Sequence, residues 1–231
     1  MAVTGTPLFD RLYSRLHATE VRNQAKEKIC REFGLDATKG IVVFATGDSQ
    51  SATLFTALRY EDQGEVTFRA IMEAMKEFPE KQLVVKLHPM ESGEVYYRVL
   101  REMNWAQERT RVVKEANLHD LIDASELVTT EPSTVALESV ILGKPTVIVQ
   151  LAMKEKSPFY MNFPVLNVSR KEELVLAFRS VFGNSGIKQR QESEAAKFLS
   201  SEGEYVVDGK STERIISLID SMLGEEKNER Y

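Results

Sequence analysis

The chain has 231 residues, of which 42% are hydrophobic and 28% are charged, and its formal net charge is −5, as expected for a globular protein. The negative net charge argues against a general nucleic-acid binder. No apolar run approaches the ~20 residues needed to span a bilayer. The opening residues lack the zones of a secretory signal and the single cysteine, Cys30, excludes an internal disulfide, so we expect a cytoplasmic protein.

Strand and helix patterns alternate along most of the chain. An amphipathic helix is predicted from Pro7 to Phe33, with a break near Thr19 and a stop at Gly34. The remaining pattern predicts strands at 41–45, 83–88, 111–113, 126–129, 146–149 and 163–168, and helices at 66–78, 94–103, 118–124, 133–142, 171–182, 189–199 and 211–223.

The strands are short, continuously apolar and separated by helices, which is typical of a parallel sheet covered on both faces. We therefore predict an α/β fold with a doubly wound, mostly parallel sheet of about six strands, of the Rossmann type, with helical extensions at both ends. Residues 1–34 are predicted to form an N-terminal helical segment, and residues 35–231 are predicted to form the Rossmann-like domain with its C-terminal helices.

The carboxyl ends of the predicted strands locate a candidate site, because ligands bind in the crevice outside this edge of an open parallel sheet. The segments that follow the first, second, fourth and fifth strands should converge there. They contribute Thr46 and Gly47, then Lys86, His88 and Pro89, then Thr130, Ser133 and Thr134, and finally Lys154.

The segment from Thr130 to Glu138 is the strongest element of this site. Ser133 and Thr134 open a predicted helix, whose first turn carries positive partial charge and free N–H groups that bind anions. Glu138 lies one turn beyond Thr134 on the same helix face, within reach of ribose hydroxyls. For this pattern alone the alternative is that Ser133 only caps the helix and Glu138 is an ordinary surface acid.

The histidines and Lys86 carry weaker signals. His88 ends its strand beside the crevice, where an imidazole can donate to a phosphate or serve as a structural hydrogen-bonding group. Lys86, in an apolar strand, should have a carboxylate or a phosphate nearby, because burying an unpaired ammonium is costly. We expect His17 and His119 to be surface residues, and we find no cluster with metal-ligand spacing.

The order and separation of these elements resemble the C-terminal domain of GT-B glycosyltransferases. The nearest group is the surface- and capsule-polysaccharide type, which includes bacterial sialyltransferases, CDP-glycerol glycerophosphotransferases and the related UDP-GlcNAc 2-epimerases. The resemblance rests on 86–89 (KLHP), 117–122 (NLHDLI), 124–129 (ASELVT) and 133–145 (STVALESVILGKP), together with the opening 3–10 (VTGTPLFD) and the closing 208–215 (DGKSTERI).

The resemblance implies that His88, Pro89, Ser133 and Thr134 contact the nucleotide and its phosphates, and that Glu138 holds the ribose. It implies a nucleotide-sugar or nucleotide-polyol substrate of the CMP/CDP or UDP type, no other cofactor, no metal, and a separate or missing N-terminal acceptor-binding domain. Peripheral membrane association of the full enzyme is compatible with it. The catalytic residues are unknown from the sequence and would lie largely on that other domain.

Three functions remain open at this stage. The first is the donor-binding half of a GT-B glycosyltransferase of surface polysaccharide synthesis. The second is a UDP-GlcNAc 2-epimerase-like fragment, although the glycines that precede an acidic pair in that family are absent around Thr130–Glu138. The third is a nucleotide-binding or interaction module without chemistry.

Overall fold

The computed structural model describes residues 4–47, 60–151, 163–183, 185–199 and 206–228. The strands are β1 (Gly40–Ala45), β2 (Lys81–Lys86), β3 (Thr110–Val113), β4 (Leu127–Thr130), β5 (Thr146–Val149) and β6 (Leu166–Val168). The α-helices are α1 (Pro7–His17), α2 (Thr19–Phe33), α3 (Tyr60–Met75), α4 (Glu94–Glu102), α5 (Leu118–Ala124), α6 (Thr134–Ile141), α7 (Lys171–Gly183), α8 (Ser185–Phe198) and α9 (Ser211–Asn228).

The six strands form one parallel sheet in the order β3-β2-β1-β4-β5-β6. β1 lies at the centre, where Val42 pairs with Leu83 of β2 on one side and with Leu127 of β4 on the other. This order makes the gap between β1 and β4 the point where the direction of winding reverses, which is the usual ligand site of such sheets. The predicted doubly wound parallel sheet of about six strands is confirmed.

Helices cover both faces of the sheet. Phe44 on one face packs with Phe68 of α3, in a cluster that also contains residues of α4 and α7. On the other face, Val43 packs with residues of α2 and α5, and Val128 packs with residues of α1 and α6. Because both faces are buried, the strands need apolar residues at successive positions, as in β1 where all six are buried.

The N-terminal helices bury residues in the same clusters as the sheet. Leu12 of α1 and Ile29 of α2 are almost fully buried, and Gly34 ends α2 in the left-handed conformation with a φ of 62°. Asp10 of α1 accepts hydrogen bonds from the N–H groups of Ser211 and Thr212, which begin α9. The predicted domain division at residue 34 stays a prediction.

Several predicted elements have different bounds in the structure, and two of these differences have a physical explanation. The helix predicted from 66 to 78 begins earlier, at Tyr60, and ends at Met75, because tertiary packing outweighs the weak periodicity before Gly64 and the residue before Pro79 disfavours the helical conformation. β2 is shifted two residues towards the N-terminus, since the His88 N–H bonds to side chains instead of a strand. No helix in the described part of the chain is long and apolar enough to cross a membrane.

Candidate functional site

The ends of β1 and β2 are joined by the side chains of Thr46 and Glu91. The His88 N–H donates to Thr46 Oγ1 over 2.8 Å, and the Thr46 hydroxyl donates in turn to Glu91. Tyr96 of α4 donates to the other oxygen of Glu91 at 2.9 Å. Glu91 therefore holds the first two loops of the carboxyl edge together, a role that was not predicted for it.

Glu131, directly after β4, is a buried carboxyl group at the winding reversal. Its side chain accepts from Thr67 Oγ1 at 2.9 Å and from the Gly47 N–H, and the residue is 3% exposed. Burial raises the pKa of Glu131 to about 7, and the nearby charge of Glu91 adds to this effect against the two hydrogen bonds. A Cβ at Gly47 would lie 2.8 Å from Glu131 Oε2, so a larger residue at this position would displace the Glu131 side chain.

α6 begins three residues after Glu131, at Thr134. Ser133 is the N-cap, and its Oγ accepts from the Val135 N–H at 3.3 Å, so the predicted cap is confirmed. Thr134 is exposed, and no described residue bonds to its N–H or its hydroxyl. Such a helix start offers positive partial charge and free donors to an anion.

Thr130, the last residue of β4, is fully buried, and its hydroxyl has no hydrogen-bond partner among the described residues. Side chains alternate along the strand, which places Thr130 on the same face as Val128, against which α1 and α6 pack. A buried hydroxyl without a partner costs stability, so its presence beside the start of α6 calls for a ligand or a water there.

Glu138, one turn into α6, is paired with His119 in the first turn of α5. His119 Nε2 lies 2.7 Å from Glu138 Oε2, and the side chains are 21% and 12% exposed. The expectation that His119 is a simple surface residue is therefore wrong. The sequence contained one usable signal, since His119 follows the helix cap Asn117 at the carboxyl edge of β3.

His88 and Lys86 differ in what they offer to the crevice. The Met90 N–H donates to His88 Nδ1 at 3.3 Å, which leaves Nε2 as the N–H donor of a neutral ring. Lys86 Nζ donates to the Leu87 carbonyl oxygen at 2.8 Å and forms no ion pair with a described carboxylate. Burial lowers the pKa of Lys86, opposed by the charge of Glu115. Lys86 thus contacts a backbone carbonyl directly, and the expectation of a carboxylate or a phosphate nearby stays a prediction.

The structure brings most of the predicted site residues to one edge of the sheet. Main-chain and side-chain hydrogen bonds connect the loops after β1, β2 and β4, and the exposed Pro89 lies beside His88. Lys154 lies outside the described residues. Sequence reasoning missed Glu91, Glu131 and Thr67, although an acid directly after an apolar strand was visible at Glu131. Chemically, this edge offers N–H and hydroxyl donors for an anion and a carboxylate for hydroxyl groups.

Comparisons with known proteins agree with this fold. A model of the UDP-N-acetylglucosamine 2-epimerase family matches residues 1–220. The wall teichoic acid polymerase TagF, as its H444N variant, is similar over 97% of this chain and 52% of its own, with a TM-score of 0.61 and 15% identity. The UDP-GlcNAc 2-epimerase from Neisseria meningitidis bound to UDP-GlcNAc is similar over 95% and 55%, with a TM-score of 0.63 and 15% identity.

A third solved structure, S. aureus MnaA with UDP, is similar over 85% of this chain and 48% of its own, with a TM-score of 0.60 and 16% identity. No curated protein sequence matches the chain. The chain spans about half the length of the solved structures that it matches. The predicted likeness to a GT-B half-domain of the epimerase-related type is confirmed at the level of the fold.

Proposed function

Because the chain belongs to the UDP-N-acetylglucosamine 2-epimerase family, we propose that it binds the nucleotide part of a nucleotide-activated sugar or polyol. The carboxyl edge of the sheet, at the β1–β4 winding reversal, is the binding site. Thr130 carries this proposal: its buried hydroxyl has no partner among the described residues, directly before the start of α6. A phosphate at that helix start would give the hydroxyl an acceptor and meet the free donors of Thr134.

The neighbouring side chains support a ligand that is larger than a single phosphate. His88 Nε2 is available as a donor, and it extends from the loop after β2 that Glu91 ties to Thr46. Glu138 stands one helical turn, about 5.4 Å, beyond the α6 start, which is a suitable separation between a phosphate and the ribose hydroxyls of one nucleotide. Ser133, Thr134 and His88 are thus assigned to the phosphates, and Glu138 is assigned to the ribose.

For the reaction, we assign the domain to the donor side of a GT-B-type glycosyltransferase of surface polysaccharide synthesis. TagF is described as a wall teichoic acid polymerase, and the segment after β4 here reads Glu131-Pro132-Ser133-Thr134 without paired glycines. An acceptor-binding domain would be supplied by another part of a longer chain or by another subunit. Leaving-group stabilisation by the helix start would be an electrostatic contribution that needs no metal.

An epimerase-like reaction on UDP-GlcNAc is the second candidate, and the family match over residues 1–220 favours it. The two reactions are separable by their products. Incubation of the chain with UDP-GlcNAc, followed by proton NMR of the sugar, would reveal UDP-ManNAc or free UDP with a 2-epimerised sugar. Such turnover would replace the transferase assignment but keep the nucleotide site.

The binding site is tested by calorimetric titration with CMP, CDP, UMP, UDP and ADP. We expect one pyrimidine nucleotide to bind selectively. Ser133→Ala with Thr134→Ala should weaken its binding by about 1–3 kcal/mol for each donor removed. A matched control replaces two exposed serines of α9, Ser217→Ala with Ser221→Ala, and should leave the affinity unchanged. Unchanged affinity in the α6 variant would place the phosphate elsewhere.

A further inference from the structure

The His119–Glu138 pair connects the first turn of α5 with the second turn of α6, the next helix along the chain. α5 follows β3 and α6 follows β4, and these strands are separated by β2 and β1 in the sheet. The 2.7 Å distance between His119 Nε2 and Glu138 Oε2 is that of a charge-assisted hydrogen bond. Both side chains retain some exposure, so the pair lies at the rim of the carboxyl edge and not in the core.

The hydrogen bonding of Glu138 is incomplete. His119 occupies Oε2, whereas Oε1 has no partner in the described part of the chain. The buried carboxylate of Asp123 is different, since Arg15 binds its Oδ2 and Arg22 binds its Oδ1. A pair that served only to join α5 to α6 would not need the second oxygen of Glu138 to stay available.

We propose that His119 is a positioning residue that aims the free oxygen of Glu138 at the ribose and so makes the site select ribonucleotides over deoxyribonucleotides. The inference rests on the proposed nucleotide site. The imidazole N–H fixes the glutamate rotamer, which an unpaired carboxylate at this rim would not keep. The substrate class is then a donor of the UDP or CDP type, and donors of the dTDP type are disfavoured.

The physical basis of the selection is the cost of an unpaired carboxylate. When a ribonucleotide binds, a ribose hydroxyl donates to Glu138 and replaces the water that the carboxylate loses. A nucleotide that lacks such a hydroxyl displaces the same water but provides no hydrogen-bond donor. The partly buried carboxylate of Glu138 is then left without a partner. The penalty depends on the carboxylate staying in place, and this is the contribution of His119.

The test compares UDP with 2′-deoxy-UDP, or CDP with 2′-deoxy-CDP if CDP is the nucleotide that binds. We expect the native chain to prefer the ribonucleotide by roughly tenfold or more, from one hydrogen bond to a charged group. His119→Ala should make the dissociation constants of the two nucleotides nearly equal, mainly because the ribonucleotide binds more weakly. His17→Ala, which removes an exposed histidine of α1, is the control and should keep the preference.

Two further variants distinguish a positioning role of His119 from a purely structural contact between α5 and α6. His119→Gln places an amide N–H about where Nε2 lies and should restore much of the preference, whereas the shorter His119→Asn reaches only the Nδ1 position and should not. Thermal melting of each variant checks that the domain is folded. Equal losses for both nucleotides, or no preference in the native chain, would overturn the inference and leave the nucleotide site standing. If no nucleotide binds at all, the proposed function itself fails.

Discussion

Two aspartates near the amino edge of this sheet and the polar groups of the candidate site at the carboxyl edge are paired in opposite ways. Near the amino edge, in the last turn of α5, Asp123 is fully buried and both of its oxygens are taken, by Arg15 at 2.7 Å and by Arg22 at 2.9 Å. Asp120 is shared in the same way by Arg15 and Lys28. Although burial opposes ionisation, the hydrogen bonds from Lys28 and Arg15 lower the pKa of Asp120.

At the carboxyl edge, the buried polar groups are not all paired. The Thr130 hydroxyl has no partner among the described residues, Glu138 has one free oxygen, and Glu131 keeps a pKa of about 7 because its two hydrogen bonds do not offset its burial. Complete pairing of these two aspartates fastens α1 and α2 to α5, while incomplete pairing in the candidate site costs stability that a bound ligand can restore. This contrast supports the proposed nucleotide site at the carboxyl edge.

The largest expected effect is at the fully paired edge. Asp123→Ala leaves two arginines next to a buried site without their carboxylate, and the usual cost of removing one member of a buried ion pair is about 3–5 kcal/mol. Urea denaturation should show this loss in the free energy of unfolding. Asp220→Ala, at an exposed position of α9, is the control and should change stability by less than about 0.5 kcal/mol.

The comparison also predicts that nucleotide binding survives this change. Below its lowered melting temperature, the Asp123→Ala chain should bind nucleotide with native affinity, because Asp123 lies at the opposite edge from the proposed site. A loss of affinity in the folded variant would show that the two edges are coupled, and the division between a structural and a functional edge would then be wrong.

A smaller effect, with a defined pH dependence, is expected for Glu131→Gln. The pKa of Glu131 is about 7 in the folded chain against an ordinary value of 4.5 for a glutamate, so folding favours the protonated form. This contribution to stability is full below pH 4.5 and is lost as the pH rises through 7. The shift corresponds to roughly 3 kcal/mol at 1.36 kcal/mol per pKa unit.

The measurement is the difference in unfolding free energy between Glu131→Gln and the native chain at a series of pH values. This difference should move in favour of the variant by roughly 3 kcal/mol between pH 4.5 and pH 7.5, because the amide does not ionise. A difference that is independent of pH would mean that folding does not raise the pKa of Glu131 and that its hydrogen bonds from Thr67 and Gly47 offset its burial.

The sheet could be predicted because its strands are encoded locally. Runs such as 41–45 and 147–149 are continuously apolar, and the strand-end rule then places Thr46, His88 and Thr130 at one edge. The partners of these residues could not be predicted, because they depend on pairs that are remote in the sequence. Glu131 meets Thr67 across 64 positions, and Thr46 meets Glu91 across 45. His119 was assigned to the surface for the same reason.

The smallest expected effect separates the two kinds of edge most sharply, since stability and binding should change in opposite directions. Thr130→Val replaces the hydroxyl that lacks a partner by a methyl group of similar size, so the free energy of unfolding should stay the same or rise slightly. The nucleotide should bind about 1 kcal/mol more weakly, because the variant cannot donate to the phosphate.

Thr129→Val on the same strand is the matched control, since the Thr129 hydroxyl already donates to the Val43 carbonyl oxygen at 3.2 Å. It should lower stability and leave affinity unchanged. If Thr130→Val lowered stability as Thr129→Val does, the Thr130 hydroxyl would have a structural partner, and the carboxyl edge would lose its main distinction from the amino edge.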